Sequence, residues 1–205
     1  LYKRDALEDL MGIPFRKKNL LVTFHPETLN TQIDPKQQIK NLLTVLEELD
    51  DTTIIFTKAN ADTGGVVINQ EIEKFVKKHK KNSIAHTSLG QKKYLSLLQF
   101  VDGVVGNSSS GLIEAPSFKV GTVNIGERQK GRIRSKSIID SNFSEASIKS
   151  AIYKLYDDDF QNTITSAKNP YEGRDTSEKI VKIIKEYPLE KILMKKFYDL
   201  EGKEN

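Results

Sequence analysis

One stretch near the middle of the chain decides the fold: Val104-Val105-Gly106-Asn107-Ser108-Ser109-Ser110-Gly111-Leu112-Ile113-Glu114-Ala115. A short apolar run passes through small hydroxyl residues directly into a helical pattern, which is typical of a strand–loop–helix unit in an α/β protein. The first backbone N–H groups of a helix have no partner within the helix, and they carry the positive end of its dipole. The pattern therefore predicts a loop that admits an anion.

Two interpretations of this loop stay open. It is either an anion-binding turn, in which the hydroxyls of Ser108, Ser109 and Ser110 add donors, or a Ser/Gly turn that only caps a helix. The stretch matches neither the Walker loop nor the GxGxxG fingerprint. Glu114 favours the first interpretation, because it follows Ser110 by one helical turn and its carboxylate can accept two hydrogen bonds from a vicinal diol such as a ribose.

Strand and helix patterns alternate outward from this stretch in both directions. Because helical patterns separate the apolar runs, the connections are crossovers and the strands are parallel. The predicted fold class is α/β, a doubly wound, mostly parallel, Rossmann-like sheet. The predicted strands are residues 20–25, 53–57, 83–86, 103–106, 121–125 and 137–139.

Residues typical of helix ends place several of the helices. Asp34 and Pro35 predict a capped start with proline in the first turn. Asp175 and Glu178 have the spacing of a capping box, and Pro188 ends the helix that follows. A last helix is predicted to carry Leu189, Ile192, Leu193, Phe197 and Leu200.

Composition narrows the class of protein. The chain has 205 residues, with 32 Lys plus Arg against 28 Asp plus Glu, so its formal charge is +4. This mild excess permits an anionic ligand and does not indicate nucleic acid.

No apolar run reaches the roughly 20 residues of a membrane helix. The absence of cysteine excludes disulfides and thiol nucleophiles and fits a reducing compartment. Since the chain starts at Leu1, we expect it to be cut from a longer protein.

Two further loops follow predicted strands and carry groups that suit phosphate. His25 ends an apolar strand, and Pro26 forces it into extended geometry, so the strand directs its imidazole. The alternative is a histidine whose hydrogen bonds are satisfied at a strand edge. Arg128, Lys130 and Arg132 lie between glycines, where they would either close over a diphosphate or form a solvated basic loop.

The remaining polar loop, residues 58–65, offers amides for hydroxyl or phosphate contacts and carries Asn60. No spacing of His, Asp and Glu suggests a metal site, and no nucleophile–base pair is evident. The loops together suit the binding of a nucleoside diphosphate better than they suit a reaction.

Several of these motifs are similar to those of one family. The stretches Gly106-Asn-Ser-Ser-Ser-Gly-Leu-Ile-Glu-Ala-Pro-Ser-Phe118 and Asn124-Ile-Gly-Glu-Arg-Gln-Lys-Gly-Arg132 resemble the hydrolysing UDP-N-acetylglucosamine 2-epimerases. Leu21-Val-Thr-Phe-His-Pro-Glu-Thr28 and Asn169-Pro-Tyr-Glu-Gly173 match the same pattern. The resemblance covers nearly all of this chain and about half of the family's usual length. The motifs occur together and in order, which is more specific than any one of them.

The resemblance implies a GT-B-like protein with two Rossmann-like domains, of which this chain would be the carboxyl-terminal one. Residues 1–187 would form the UDP-binding domain, and residues 188–205 a helix that packs toward an amino-terminal domain outside this chain. The implied catalytic residue is His25. The implied UDP-binding residues are Asn60, Leu89, Ser108, Ser109, Ser110, Glu114 and Arg128.

The resemblance also implies a reaction in two stages. Elimination of UDP with loss of the C2 proton gives a glycal, and addition of water then releases N-acetylmannosamine. The acid/base carboxylates would lie on the other domain, and His25 would lie nearest the leaving oxygen. The same resemblance implies a cytoplasmic homo-oligomer with no cofactor and no nucleic-acid or membrane partner. Two alternatives stay open: the donor-binding half of a GT-B glycosyltransferase, and a non-catalytic nucleotide-sugar sensor.

Overall fold

The computed structural model describes residues 1–27, 33–60, 63–190 and 192–194. Within them the strands form one parallel sheet in the order β3-β2-β1-β4-β5-β6. This is the strand order of a doubly wound sheet, and the predicted fold class is confirmed. The strands are β1 (Lys18–Thr23), β2 (Thr52–Thr57), β3 (Ser83–His86), β4 (Gly103–Gly106), β5 (Gly121–Ile125) and β6 (Ile138–Ser141).

The helices of the described ranges precede, connect and follow these strands. They are α1 (Arg4–Met11), α2 (Pro35–Glu47), α3 (Thr63–Lys78), α4 (Gly90–Leu97), α5 (Ser110–Ile113), α6 (Glu145–Lys154), α7 (Asp158–Ser166) and α8 (Thr176–Glu186), with a 3₁₀ turn at Ala115–Phe118. The sequence did not predict α1 or α7. For α7 the signal was present, because the carboxylate of Asp157 caps the helix by accepting from the amide of Phe160 at 3.1 Å.

Both faces of the sheet are covered, as expected for parallel strands. Alternate residues of β1 enter two separate cores. Leu20 and Val22 pack on the side of α2, α3 and α6, whereas Leu21 packs on the side of α1 and α4. The apolar strands predicted from the sequence are therefore buried on both sides, which leaves the ends of the strands as the accessible part of the sheet.

Some predicted boundaries are wrong. β1 ends at Thr23 instead of residue 25, so His25 lies in the loop beyond the strand. Pro35 does begin α2, but the side chain of Asp34 makes no cap; its carbonyl accepts instead from the amides of Gln37 and Gln38. The predicted capping box at α8 is also wrong, because Asp175 adopts a left-handed conformation with φ of 57° and its side chain makes no cap hydrogen bond.

A first compact unit ends at Tyr171, and a second begins at Glu172 and contains α8. None of the residues of α8 is buried, and its apolar side is exposed. The described residues beyond Pro188 form turns and no helix, while Phe197 and Leu200 of the predicted last helix lie outside the described residues. The domain boundary between residues 187 and 188 stays a prediction. No helix in the described ranges has the length and apolarity to cross a bilayer.

Candidate functional site

The candidate site lies where the connections of the sheet change direction. β1 and β4 are neighbours at its centre, but β1 leads on to β2 on one side and β4 leads on to β5 on the other. The loops after these two strands diverge, which opens a crevice at their carboxyl ends. His25 and the serine loop, defined as residues 107–110, border this crevice.

Asn107 fixes these two loops against each other. Its side chain is fully buried, its Oδ1 accepts from the backbone amide of His25 at 2.7 Å, and its Nδ2 donates to the His25 carbonyl at 2.8 Å. Its own amide donates to the carbonyl of Thr23 at 3.1 Å. The side chain of Asn107 therefore continues the hydrogen bonding between β1 and β4 beyond the ends of the strands.

The loop after β5 is tied to the same residue. The carbonyl of Asn107 accepts from Arg128 Nη1 at 3.1 Å and from Gln129 Nε2 at 2.7 Å. The carboxylate of Glu27 adds a second tie, because its two oxygens lie 3.0 and 3.2 Å from the amide of Glu127 that donates to them. These contacts bring Arg128 to the serine loop.

The three predicted cations of this loop have different environments. Arg128 is exposed and contacts the serine loop through Asn107. Lys130 forms an ion pair with Glu127, with 2.9 Å between Nζ and Oε2. Arg132 is exposed. Among the residues that the structure describes, Arg128 is thus the cation of this loop whose hydrogen bond reaches the serine loop.

The helix that follows the serine loop is one turn long. α5 covers four residues, and the 3₁₀ turn that contains Pro116 follows at once. A helix this short has only a small dipole, so individual N–H groups carry most of the positive potential. The amides of Ser108 and Ser109 donate to no acceptor within residues 1–27, 33–60, 63–190 and 192–194. They are available to an anion.

A cavity of about 380 Å³ opens beside the serine loop, a volume that suits a small-molecule ligand. Residues of α4 line it together with Ser110 and Glu114. Its floor includes a pair of threonines, Thr23 and Thr57, whose hydroxyls are hydrogen-bonded to each other. The lining residues are Thr23, Thr57, Thr87, Ser88, Leu89, Gly90, Gln91, Tyr94, Leu95, Ser108, Ser110 and Glu114.

The structure brings together most of the site residues predicted from the sequence. Four of them line the cavity: Leu89, Ser108, Ser110 and Glu114. Ser109 lies in the same loop, and the Asn107 contacts join His25 and Arg128 to it. Asn60 is exposed in the loop after β2 and does not line the cavity, while Thr28 lies outside the described residues. No cluster of three or more His, Asp or Glu side chains able to hold a metal occurs in the described ranges.

The comparison with family models decides the relationship. The model described as UDP-N-acetylglucosamine 2-epimerase matches residues 2–185. The chain belongs to this family. The resemblance that rested on the serine loop and the loop after β5 is confirmed at the level of the family.

Two relatives show how much of a family member is present. The GDP/UDP-N,N'-diacetylbacillosamine 2-epimerase (hydrolyzing) of Campylobacter jejuni is 40% identical over 98% of this chain and 51% of its own length. The polysialic acid biosynthesis protein P7 of Escherichia coli is 39% identical over 90% of this chain and 47% of its own length. The chain thus spans about half the length of these curated relatives.

Solved structures of the family share the fold. The S. aureus MnaA–UDP co-structure has a TM-score of 0.67 at 19% identity and covers 97% of this chain, which corresponds to 51% of that chain. The UDP-GlcNAc 2-epimerase of Neisseria meningitidis bound to UDP-GlcNAc has a TM-score of 0.65 at 12% identity and covers 88% of this chain and 48% of its own. At these identities the likeness supports the doubly wound fold of this epimerase-family chain.

Sequence reasoning missed three residues that shape the site. Asn107 lay inside the stretch that predicts the loop, but its partner His25 is 82 residues away along the chain, and no local pattern shows such a bond. The carboxylate of Glu27 accepts from the amide of Glu127, which is 100 residues further along the chain. The hydroxyl of Tyr94 is hydrogen-bonded to Ser110, and no pattern in the sequence indicates this contact.

Proposed function

We propose that this chain is the UDP-binding half of a hydrolysing UDP-N-acetylglucosamine 2-epimerase. The observation that carries the proposal is the pairing of unpartnered amides at Ser108 and Ser109 with the carboxylate of Glu114 beside one cavity. Amides and an arginine suit a diphosphate, and a carboxylate suits the diol of a ribose. A nucleoside diphosphate presents both groups next to each other.

In this proposal UDP lies along the crevice. The diphosphate accepts from the amides and hydroxyls of Ser108 and Ser109, with Arg128 beside it. The ribose hydroxyls donate to Glu114, which is exposed and makes no ion pair with the described residues. The uracil lies against the backbone of the turn at Leu89, on the apolar side of the cavity.

The proposed reaction breaks the bond between the anomeric carbon and the diphosphate oxygen while a base removes the C2 proton. UDP leaves with the bonding electron pair, and the sugar becomes a glycal. Water then adds across the double bond and gives N-acetylmannosamine. The chain described here would stabilise the negative charge that grows on the leaving diphosphate, with His25 nearest the leaving oxygen and with donors already oriented by Asn107. The proton-transfer carboxylates belong to the amino-terminal half.

The sugar is proposed as a 2-acetamido sugar, with UDP-N-acetylglucosamine as the first candidate. The name of the Campylobacter jejuni relative includes N,N'-diacetylbacillosamine, so the UDP form of that sugar is the second substrate to assay. We further propose a cytoplasmic, homo-oligomeric full-length protein. In it the carboxyl-terminal segment packs on the amino-terminal domain, a proposal supported by the exposed apolar residues Ile180, Ile183 and Ile184 of α8.

Titration calorimetry with UDP tests the binding half of the proposal. The wild-type chain should bind UDP, and Glu114→Gln should weaken binding about tenfold, because an amide offers fewer acceptors and no charge to the ribose hydroxyls. Glu145→Gln is the matched control: Glu145 is an exposed glutamate on α6, so its substitution should leave UDP affinity unchanged. Equal affinities for all three proteins would contradict the proposed ribose contact.

A product assay tests the catalytic half. This chain alone should release no N-acetylmannosamine from UDP-N-acetylglucosamine, and the full-length protein should release it together with UDP. Transfer of the sugar to an acceptor, with no free N-acetylmannosamine, would instead identify a glycosyltransferase. Turnover by this chain alone would contradict the assignment of the acid/base groups to the other half.

A further inference from the structure

Tyr94 places a phenol in the same cavity as Glu114. It lies on α4, is half-buried and lines the cavity together with Ser110 and Glu114. The Ser110 hydroxyl donates to the Tyr94 hydroxyl oxygen. The proposed function does not use this tyrosine.

The chemistry of this phenol differs from that of Glu114. Burial, together with the negative charge of Glu114, raises the pKa of Tyr94 to about 12 against the lowering effect of the bond from Ser110, so the hydroxyl keeps its proton at neutral pH. Its oxygen accepts from Ser110, while its own O–H proton has no acceptor among the residues that the structure describes. The cavity therefore offers one hydroxyl donor, at Tyr94, and one strong acceptor, at Glu114.

A vicinal diol complements such a pair. One hydroxyl of the diol can donate to a carboxylate while the oxygen of the other accepts from a phenol. Removal of either diol hydroxyl leaves one protein group without its partner, and sites of this kind discriminate strongly against the analogue that lacks the hydroxyl.

We propose that Tyr94 is a second ribose-recognition residue, which donates its O–H to one ribose hydroxyl while Glu114 accepts from the other. This inference rests on the proposed binding of UDP. Tyr94 is then a specificity-determining residue that selects a ribonucleotide, and the bond from Ser110 leaves its proton directed toward the ligand.

The test compares the affinities of UDP, 2'-deoxy-UDP and 3'-deoxy-UDP by titration calorimetry. Wild-type chain should bind each deoxy analogue about fivefold or more weakly than UDP, the value of one hydrogen bond. Tyr94→Phe should weaken UDP about fivefold and reduce the penalty of one analogue to within about twofold, while the other analogue keeps its penalty through Glu114. Thermal unfolding of Tyr94→Phe verifies that the variant is folded.

Two further variants separate recognition from packing. Tyr156→Phe removes another half-buried phenol, near Lys18 at the opposite end of β1, and should keep both penalties. Ser110→Ala removes the bond that orients the Tyr94 proton, so it should reduce the penalty of the same analogue as Tyr94→Phe does, by a smaller factor. If Tyr94→Phe weakens all three ligands equally, or changes none, the inference is overturned. If the wild-type chain binds UDP with no penalty for either deoxy analogue, the inference is overturned while UDP binding stands. If it binds no UDP, the proposed function fails first.

Discussion

At each end of the β1–β4 strand pair, a buried asparagine side chain bonds to the N–H and C=O of one backbone residue. At the amino end, buried Asn19 accepts from the Arg16 amide and donates to the Arg16 carbonyl, both at 3.0 Å. At the carboxyl end, buried Asn107 makes the same two bonds with His25, at 2.7 and 2.8 Å. The geometry is alike, but the surroundings differ.

At the amino end the neighbouring polar groups are paired with one another. The amide of Asn19 donates to the carboxylate of Asp102 at 2.6 Å, and the amide of Asp102 donates back to the Asn19 carbonyl at 2.8 Å. At the carboxyl end the backbone is fixed as firmly, yet the amides of Ser108 and Ser109 have no acceptor among the described residues. This difference supports the proposal that the carboxyl end binds a ligand, since preorganised sites gain affinity in this way.

We expect the largest loss of stability when alanine replaces the glycine at the carboxyl end of β4. Gly106 has φ of +132°, and a Cβ there would collide with the backbone carbonyl of Thr23, which cannot move without breaking the sheet. Gly106→Ala should lower the free energy of unfolding by about 3 kcal/mol or more. Gly103 is the matched control at the amino end, since its Cβ would meet a flexible side chain, Leu155, at 2.6 Å.

Gly103→Ala should therefore cost only about 1–2 kcal/mol. Urea unfolding of the two variants and the wild-type chain provides the measurement. If both variants lost the same free energy of unfolding, the close contact of Gly106 with the Thr23 backbone would not add to the cost of the substitution.

The next effect separates the two asparagines. Asn107→Ala removes two hydrogen bonds to the His25 backbone and should lower the free energy of unfolding by about 2–3 kcal/mol. Asn19→Ala should lower it by about 1–2 kcal/mol, because the Arg16 amide also donates to Thr53 Oγ1 at 3.2 Å. Only Asn107→Ala should also weaken UDP binding, by about tenfold or more, because the serine loop and Arg128 lose their common support.

Urea unfolding and titration calorimetry on the same protein samples give both quantities. The comparison fails if Asn19→Ala weakens UDP binding as much as Asn107→Ala does.

The smallest effect is expected from Asp102 at the amino end. Burial raises the pKa of this carboxyl above its usual 3.8, more than its bond from Asn19 lowers it. The unfolded chain thus releases the proton more readily, and the contribution of Asp102 to stability falls as the pH rises through the raised pKa. Asp102→Asn can keep the bond and should lose this pH dependence. Urea unfolding measures this at about pH 4 and about pH 7. Relative to Asp102→Asn, the wild-type chain should have a lower free energy of unfolding at the higher pH than at the lower one. The same difference between the two proteins at both pH values would contradict the raised pKa.

The local patterns predicted the sheet well. Runs such as Val104-Val105 could be recognised as strands because they are apolar and bounded by glycine, and three of the six strands match their predicted bounds. The local patterns predicted the helices less well. Since α1 buries only Leu7 and Met11, its apolar repeat is too short to distinguish it from a loop. The left-handed conformation of Asp175 overrides its capping-box spacing.

The site was predictable in its residue types but not in its assembly. Glu114 and the serines could be chosen because an anion and a diol need those groups. The bonds that organise them join residues far apart in the chain, such as Asn107 with His25 and Tyr94 with Ser110, and only the folded chain brings them together. Pro116 is visible in the sequence and explains why α5 ends after one turn.

A crystal structure of this chain with UDP would locate the nucleotide. We expect the diphosphate within hydrogen-bond distance of the amides of Ser108 and Ser109, and the ribose hydroxyls within the same distance of Glu114. UDP bound outside this crevice, or bound there with its ribose turned away from Glu114, would contradict this expectation.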